Sequence, residues 1–262
     1  MGASRSRSPR SLDVPQVLPF SASFVRLVTT EGHGVDDEGI YSRALDVLDG
    51  GVTEKGTELL DGATASIAAV AAGSDRAVVC TTTQHGTFGE VTITAIRADG
   101  TSDPGFADAG ALAVAGADGV ELSCLDLVAA GEHFVVLAFA DAHEAPSSVL
   151  FSLSASGVRD PVFGDGGLLD LGPDVTASGL VVDARGRVLV AKAAHYAARV
   201  VAFSADGRPE LTFGDATGKL AIPLAGVAAA RNVRLLSDGR ILVGGSLVDP
   251  SGERWFVAAF LP

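Results

Sequence analysis

Short runs of apolar residues, separated by turn-forming residues, are the main pattern along this chain. Runs of Val, Leu, Ile and Ala lie on both sides of Asp-Gly and Arg-Gly pairs, as around Gly186 and Gly239. Such pairs are typical of tight hairpin turns, because glycine readily adopts the positive φ that these turns require. No stretch of 12 or more residues carries the 3.6-residue apolar stripe of a helix. The pattern therefore predicts an all-β chain.

Two anchors recur in the same order along the sequence. The first is a phenylalanine that follows a turn signal and precedes a glycine-rich turn, and it stands at positions 106, 163 and 213. The second is a glycine between two apolar runs, at positions 73, 131, 186 and 239, with spacings of 58, 55 and 53 residues. A repeat of this length indicates a unit that stacks against its neighbours to bury its faces.

Each unit is expected to contain four short strands. One strand follows the phenylalanine turn (168–171), two flank the glycine hairpin, and one closes the unit (199–203). A repeated four-stranded antiparallel sheet of about 55 residues is typical of a β-propeller blade. We therefore expect a β-propeller of about four such blades, or five.

The repeated residues also resemble a known family. Residues 204–207, 211–214 and 237–244 carry the turn, Phe-Gly and hairpin signals of the delta-60 repeat family of bacterial β-propeller proteins, and residues 160–167 are similar. The resemblance extends over residues 96–262 and, in degenerate form, over 41–97. It implies a propeller fold and a place in the cell envelope or outside the cell. It implies no particular activity, because the family's function is generally unassigned.

The repeat divides the chain into a flexible N-terminal segment, 1–20, and one repeat domain, 21–262. Within the domain we expect a degenerate first unit at 41–97 and clearer units at 98–154, 155–204 and 205–262. The segment 24–32 is similar to a closing strand, so it could complete a sheet whose other strands lie elsewhere. A small closed ring, an arc that assembles further and a piece of a larger propeller are all compatible with this count.

Composition and charge narrow the classes of partner. The 262 residues carry a formal net charge of −13 and no basic block, which makes nucleic acid an unsuitable partner. No signal peptide and no apolar run long enough to span a bilayer is visible in the sequence. A protein or a carbohydrate is the expected ligand.

The two cysteines occupy positions where the repeat places small residues. Eight residues lie seven positions before or after an anchor glycine, and all are small: Ser66, Cys80, Cys124, Ala138, Gly179, Ala193, Asn232 and Ser246. We interpret Cys80 and Cys124 as buried residues that fill crowded space near the propeller axis. The alternative is a disulfide between blades, which requires Cα atoms within about 7 Å of each other.

No residue is assigned a catalytic, cofactor-binding or metal-binding role. His133 and His143, with Glu132 and Glu144 beside them, are predicted to be surface residues rather than zinc ligands. Turn carboxylates are predicted to be solvated rather than bound to calcium; they are Asp36, Asp37, Glu38, Asp108 and Asp165. The remaining histidines, His33, His85 and His195, share no repeat position. Trp255 is predicted to lie in the core, and the phenylalanine column to pin each blade.

These observations favour a non-catalytic β-propeller that acts as a binding or structural module, without a cofactor. The alternative is a propeller enzyme, a carbohydrate-active hydrolase or lyase, with its site at one mouth of the central channel. A cluster of carboxylate, histidine and arginine with shifted pKa values would favour the enzyme.

Overall fold

The computed structural model describes residues 64–72, 75–85, 88–116, 120–142, 146–173, 175–194, 197–224 and 226–261, together with the backbone of five strands between residues 16 and 61. These residues form 20 β-strands. They include no helix, and therefore none that is long and apolar enough to cross a membrane. The predicted all-β class is thus confirmed.

The described strands form five antiparallel sheets in chain order. The first sheet contains β1 (Gln16–Pro19), β2 (Phe24–Gly32), β3 (Glu38–Asp46), β4 (Gly51–Val52) and β5 (Thr57–Asp61). The second contains β6 (Thr64–Ala71), β7 (Arg76–His85), β8 (Phe88–Arg97) and β9 (Ala111–Val114). The third contains β10 (Glu121–Ala130), β11 (His133–Asp141), β12 (Ser147–Ser154) and β13 (Leu169–Pro173).

The last two sheets follow the same order. The fourth contains β14 (Val175–Val182), β15 (Val188–Ala194), β16 (Ala197–Phe203) and β17 (Lys219–Ala221). The fifth contains β18 (Val227–Leu235), β19 (Ile241–Asp249) and β20 (Gly252–Phe260), so it has three described strands where its predecessor has four. Within the second to fifth sheets each strand pairs with the next along the chain, because short hairpins and links connect them.

One detail of the predicted unit differs in the structure. The strand after the phenylalanine turn, expected to open a new unit, is β13, and it pairs with β12 of the sheet before it. The same holds for β9 and β17, which pair with β8 and β16. The sequence repeat and the sheets therefore have the same period but begin at different strands.

Consecutive sheets stack through their first strands. β6 contacts β1 and β10, β10 contacts β14, and β14 contacts β18. Close approach is possible because small residues occupy these strands: a Cβ atom added to Gly179 would lie 3.3 Å from the Cα atom of Asn232. The hydrophobic core lies in the gaps between sheets, as three clusters that fill the second–third, third–fourth and fourth–fifth interfaces.

Four of these first strands, β6, β10, β14 and β18, have a register shift at a similar place. The register shifts between Cys124 and Asp126 in β10, and between Ala177 and Gly179 in β14. The shift recurs in β18 after Ala230, and β6 has an irregularity at the same level. A bulge bends a strand and increases its twist, so its recurrence gives these first strands a common shape.

Candidate functional site

A disulfide joins the second sheet to the third. Cys80 of β7 and Cys124 of β10 are both fully buried, and their Cα atoms are 6.1 Å apart. The interpretation of these residues as space-filling thiols is therefore wrong, and the alternative of a disulfide between blades describes the structure. The reason is that Cys80 faces the following sheet and Cys124 the preceding one, so stacking brings the two side chains together.

Polar side chains add hydrogen bonds between sheets near the same level. The backbone N–H of Cys124 donates to Thr82 Oγ1 of the second sheet at 2.9 Å. In the next interface Ser148 Oγ accepts from the Ala177 N–H at 3.0 Å and donates to the Val175 carbonyl at 3.2 Å. These side chains bond to backbone groups of the next sheet's first strand, which is the edge strand of its own sheet.

Asp126 is a partly buried carboxylate on β10, the first strand of the third sheet. Burial raises its pKa, while hydrogen bonds from the Leu180 and Leu127 N–H groups and the charge of Arg234 partly offset that effect. Its Oδ2 atom accepts from Leu180 of the fourth sheet at 2.7 Å, and its Oδ1 atom accepts from Leu127 at 2.9 Å. Both carboxylate oxygens are therefore engaged in holding backbone groups of two sheets.

The phenylalanine column pins the sheets together, as predicted. Phe106 and Phe163 are fully buried, and each lies in the cluster between its own sheet and the next. The residue after each one donates a backbone hydrogen bond to the following unit, Ala107 to the Ser156 carbonyl at 2.7 Å and Gly164 to the Asp206 carbonyl at 3.0 Å. Phe213 occupies the equivalent position in the fourth–fifth interface.

An ion-pair cluster lies where the β6–β7 turn meets the link after β8. The Asp103 carboxylate accepts from Arg76 at 3.4 Å and from Arg97 at 3.2 Å. Burial raises the pKa of Asp103, but the Gly105 N–H and the two guanidinium groups outweigh it and hold that pKa below its ordinary value. This carboxylate is therefore ionised and fixed, which suits a structural role.

The predicted surface residues do not assemble into a metal centre in the part of the chain that the structure describes. His133 begins β11 and is exposed, as are Glu132, Asp108 and Asp165 in turns. No three His, Cys, Asp or Glu side chains among the described residues lie close enough together to hold a metal ion. Six further candidates lie outside the described residues: His33, Asp36, Asp37, His143, Glu144 and His195. His85 and Glu38 are described by their backbone alone.

A row of cations crosses the fourth sheet on the face toward the third sheet. Lys192 of β15 pairs directly with Arg199 of β16, and Lys219 of β17 lies on the same face, opposite Val201. Lys192 is only 8% exposed, and Arg199 and Lys219 are half-buried. Burial lowers the pKa of Lys192, and the charges of Lys219 and Arg199 lower it further. This row was not among the residues that the sequence pattern indicated.

The outer face of the fifth sheet is apolar and uncovered by any described residue. Trp255 is 77% exposed and Val257 is 73% exposed, and Val227 and Val248 on the same face are also exposed. The prediction that Trp255 lies in the core is therefore wrong. Alternation along β20 directs Phe256, Ala258 and Phe260 toward the fourth sheet and Trp255 to the opposite side.

Comparison with known proteins informs the fold alone. No protein-family model matches the chain, and no curated protein sequence does either. Among solved structures, one from a structural analysis of two prolyl endopeptidases matches this chain with a TM-score of 0.54 at 13% identity. The match covers 94% of this chain and 32% of that one. Prolyl oligopeptidase B from Galerina marginata matches with a TM-score of 0.51 at 9% identity, covering 94% of this chain and 34% of that one.

The chain thus spans about a third of the length of the structures that it matches first. The Nup133 β-propeller domain from Vanderwaltozyma polyspora is also similar, at 11% identity over 90% of this chain and 72% of that one, but its TM-score of 0.39 is too low to support an argument. The two matches with TM-scores above 0.5, taken with the stacked antiparallel sheets, support the all-β fold.

Proposed function

We propose that this chain is a non-catalytic β-propeller module that binds a protein or carbohydrate ligand. Its five sheets are the blades, and it belongs to the delta-60 repeat family that its repeat resembles. The proposal rests on the observation that the polar groups between the sheets bond to other parts of the fold. Asp126, Ser148 and Thr82 bond to backbone groups of neighbouring sheets, and Asp103 is held by two arginines.

The chemistry of general acid catalysis supports the same conclusion. A catalytic acid needs a raised pKa and a proton that can reach the substrate. Asp103, Asp206, Glu210, Asp215 and Asp238 all have lowered pKa values and are held ionised by hydrogen bonds. Asp126 has a raised pKa, but both of its oxygens accept backbone hydrogen bonds.

The Cys80–Cys124 disulfide favours a place in an oxidising compartment, since structural disulfides persist mainly outside the cytosol. This agrees with the cell-envelope or extracellular location that the family resemblance implies.

One observation favours the second candidate, a carbohydrate-active hydrolase or lyase. Asp126 and Arg234 both lie on first strands, β10 and β18, and the charge of Arg234 acts on the Asp126 carboxylate. First strands surround the channel of a propeller, so this pair breaks the repeat symmetry where an active site would lie.

Incubation with a panel of neutral and acidic polysaccharides tests the proposal. Affinity electrophoresis measures binding, while reducing-end and ultraviolet assays detect hydrolysis and elimination. We expect retarded migration on one class of polysaccharide and no product. Product formation that Asp126→Asn abolishes, with the fold retained, would overturn the proposal in favour of the enzyme. Asp238→Asn, at an exposed turn carboxylate, is the matched control.

A further inference from the structure

The cation row of the fourth sheet, Lys192, Arg199 and Lys219, stands where the other sheets have uncharged residues. Strand pairing shows which residues of the other sheets are equivalent to Lys192. They are Thr81 in the second sheet, Ala138 in the third and Gly245 in the fifth. All three are buried, because this position faces the preceding sheet in every unit. A lysine at such a site replaces a core residue with a charge.

The neighbouring positions show the same substitution of charge for apolar side chains. Arg199 pairs with Lys192 as Val149 pairs with Ala138 in the third sheet. Lys219 occupies the place of Leu168, which packs against the second–third cluster. The fourth sheet therefore carries three cations on one face where the third sheet presents alanine, valine and leucine.

None of the described residues neutralises the two central cations. Among the residues that the structure describes, no hydrogen bond or ion pair joins Lys192 or Arg199 to another side chain, and the charges that act on Lys192 are the cations Lys219 and Arg199. Lys219 lies near Asp215, whose carboxylate accepts its backbone N–H at 3.2 Å. Directly opposed like charges destabilise a sheet, and the burial of Lys192 together with the two neighbouring cations disfavours its charged form.

The third sheet carries carboxylates on this face, but none of them is among the charges that act on Lys192. Both oxygens of Asp126 accept backbone hydrogen bonds, and Glu121 and Asp141 pair with each other two residues beyond Ser123 and Phe139. Ser148 faces the same gap, and its hydroxyl is already bonded to Val175 and Ala177. Ala177 is the residue that pairs with Lys192, so this hydroxyl lies in the same row as the lysine. The gap at this end of the third–fourth interface is therefore lined by cations and hydrogen-bonding groups, with the half-buried Arg199 and Lys219 leading from Lys192 to solvent.

We propose that Lys192, Arg199 and Lys219 bind an oxyanion group, a carboxylate, sulfate or phosphate, carried by the ligand of this module. The inference rests on the proposed binding function and names the chemistry that the ligand must have. An oxyanion in the gap accepts hydrogen bonds from the Lys192 ammonium and the Arg199 guanidinium, and it removes the repulsion between them.

Denaturation midpoints measured with and without an anion test this proposal. Urea midpoints are compared in chloride buffer and with sulfate, inorganic phosphate or glucuronate, at constant ionic strength, with glucose as the neutral control. Each anion is added at about 10 mM, so that a site with a millimolar dissociation constant is largely occupied. Because sulfate and phosphate also stabilise proteins by exclusion from the surface, the comparison includes Lys192→Met and Arg208→Met. Arg208 is an exposed arginine paired with Asp206, so its replacement removes the same charge elsewhere.

We expect at least one anion to raise the midpoint of the native chain and of Arg208→Met by more than it raises that of Lys192→Met. The anion that acts identifies the source as a sugar acid, a sulfated or a phosphorylated group. In chloride alone, Lys192→Met should have a higher midpoint than the native chain. Arg199→Met provides the same comparison if Lys192→Met does not fold.

Two results would overturn the proposal: no anion raises the native midpoint, or the rise is as large in Lys192→Met as in Arg208→Met. Either result would leave the binding function itself standing if a polysaccharide still retards the protein. Product formation in the polysaccharide assay would instead contradict the binding function without deciding the anion site.

Discussion

The disulfide between the second and third sheets allows a quantitative prediction. Cys80 and Cys124 are separated by 44 residues, and the bond restricts the unfolded chain by closing that loop. The chain-entropy relation for a loop of this length predicts a stabilisation of about 4 kcal/mol at 25 °C. With a urea dependence of about 3 kcal/mol per molar for a chain of this size, reduction should lower the urea midpoint by on the order of 1 M.

The assay compares urea unfolding of the oxidised chain with that of the reduced chain, followed by circular dichroism. The double variant Cys80→Ala, Cys124→Ala is the control, and its midpoint should not respond to reductant. Non-reducing peptide mapping confirms the linkage in the oxidised sample. Equal midpoints for the oxidised and reduced native chain, with the linkage present, would refute the reasoning that this bond restricts the unfolded chain.

Three further predictions concern the sheet contacts and the open face. Gly157→Ala should destabilise the fold by more than about 2 kcal/mol, because the new Cβ would lie 2.8 Å from the Phe106 ring. Gly186→Ala is the control: Gly186 has a similar φ but open space around it, so the loss in urea titrations should be about 1 kcal/mol. Equal losses of stability in the two variants would contradict the packing of Phe106. Because the folded-state pKa of Asp103 is lowered, its contribution to stability exists above the ordinary value of 3.8 and is lost as pH falls through the folded value. Asp103→Asn should therefore lower the urea midpoint at pH 7 and converge with the native chain in acid; a constant difference would be inconsistent with that pKa. Acrylamide should quench the fluorescence of Trp255, the single tryptophan, nearly as well as that of a free indole; strong shielding would show that the outer face of the fifth sheet is covered in solution.

The repeated features were predictable from the sequence because they arise within one unit. A hairpin turn needs a glycine with positive φ, and Gly186 and Gly239 have φ values of 76° and 84°. A phenylalanine that recurs with its flanking turn marks a packing position, and Phe106 and Phe163 are indeed buried between sheets. In both cases the physical requirement and the residues that meet it are close together in the sequence.

Features that depend on how units stack were not predictable in the same way. The pairing of Cys80 with Cys124 depends on the distance between two sheets, which no spacing in the sequence reports. Trp255 lies in an apolar strand, but alternation alone does not tell whether its face meets another sheet.

The charge at Lys192 was not predictable for a different reason. Residues at the same distance from an anchor glycine are not structurally equivalent, because the turn at Gly131 closes with the pair Ala130 and His133, whereas that at Gly186 closes with Val182 and Val188. The different turn lengths make Ala138, and not a residue at the same offset, the equivalent of Lys192. Strand pairing corrects the offset and reveals a charge at a core position.

The central claim is that each sheet is placed on its predecessor in the same way, and the repeat offers a direct test. In the fourth–fifth interface the positions equivalent to Cys80 and Cys124 are Ala191 and Ala230, and both are buried in the cluster between those sheets. Cysteines introduced there, in the variant that lacks Cys80 and Cys124, add only a sulfur atom to each side chain.

The measurement is disulfide formation under mild oxidation, quantified by peptide mapping of Ala191→Cys, Ala230→Cys. The control pair is Ala191→Cys, Ala229→Cys, because Ala229 is the neighbour of Ala230 and so has its side chain on the opposite face of β18. The stacking described above predicts a disulfide between positions 191 and 230 and none between 191 and 229. A folded protein in which the first pair stays reduced, or in which both pairs oxidise alike, would contradict it.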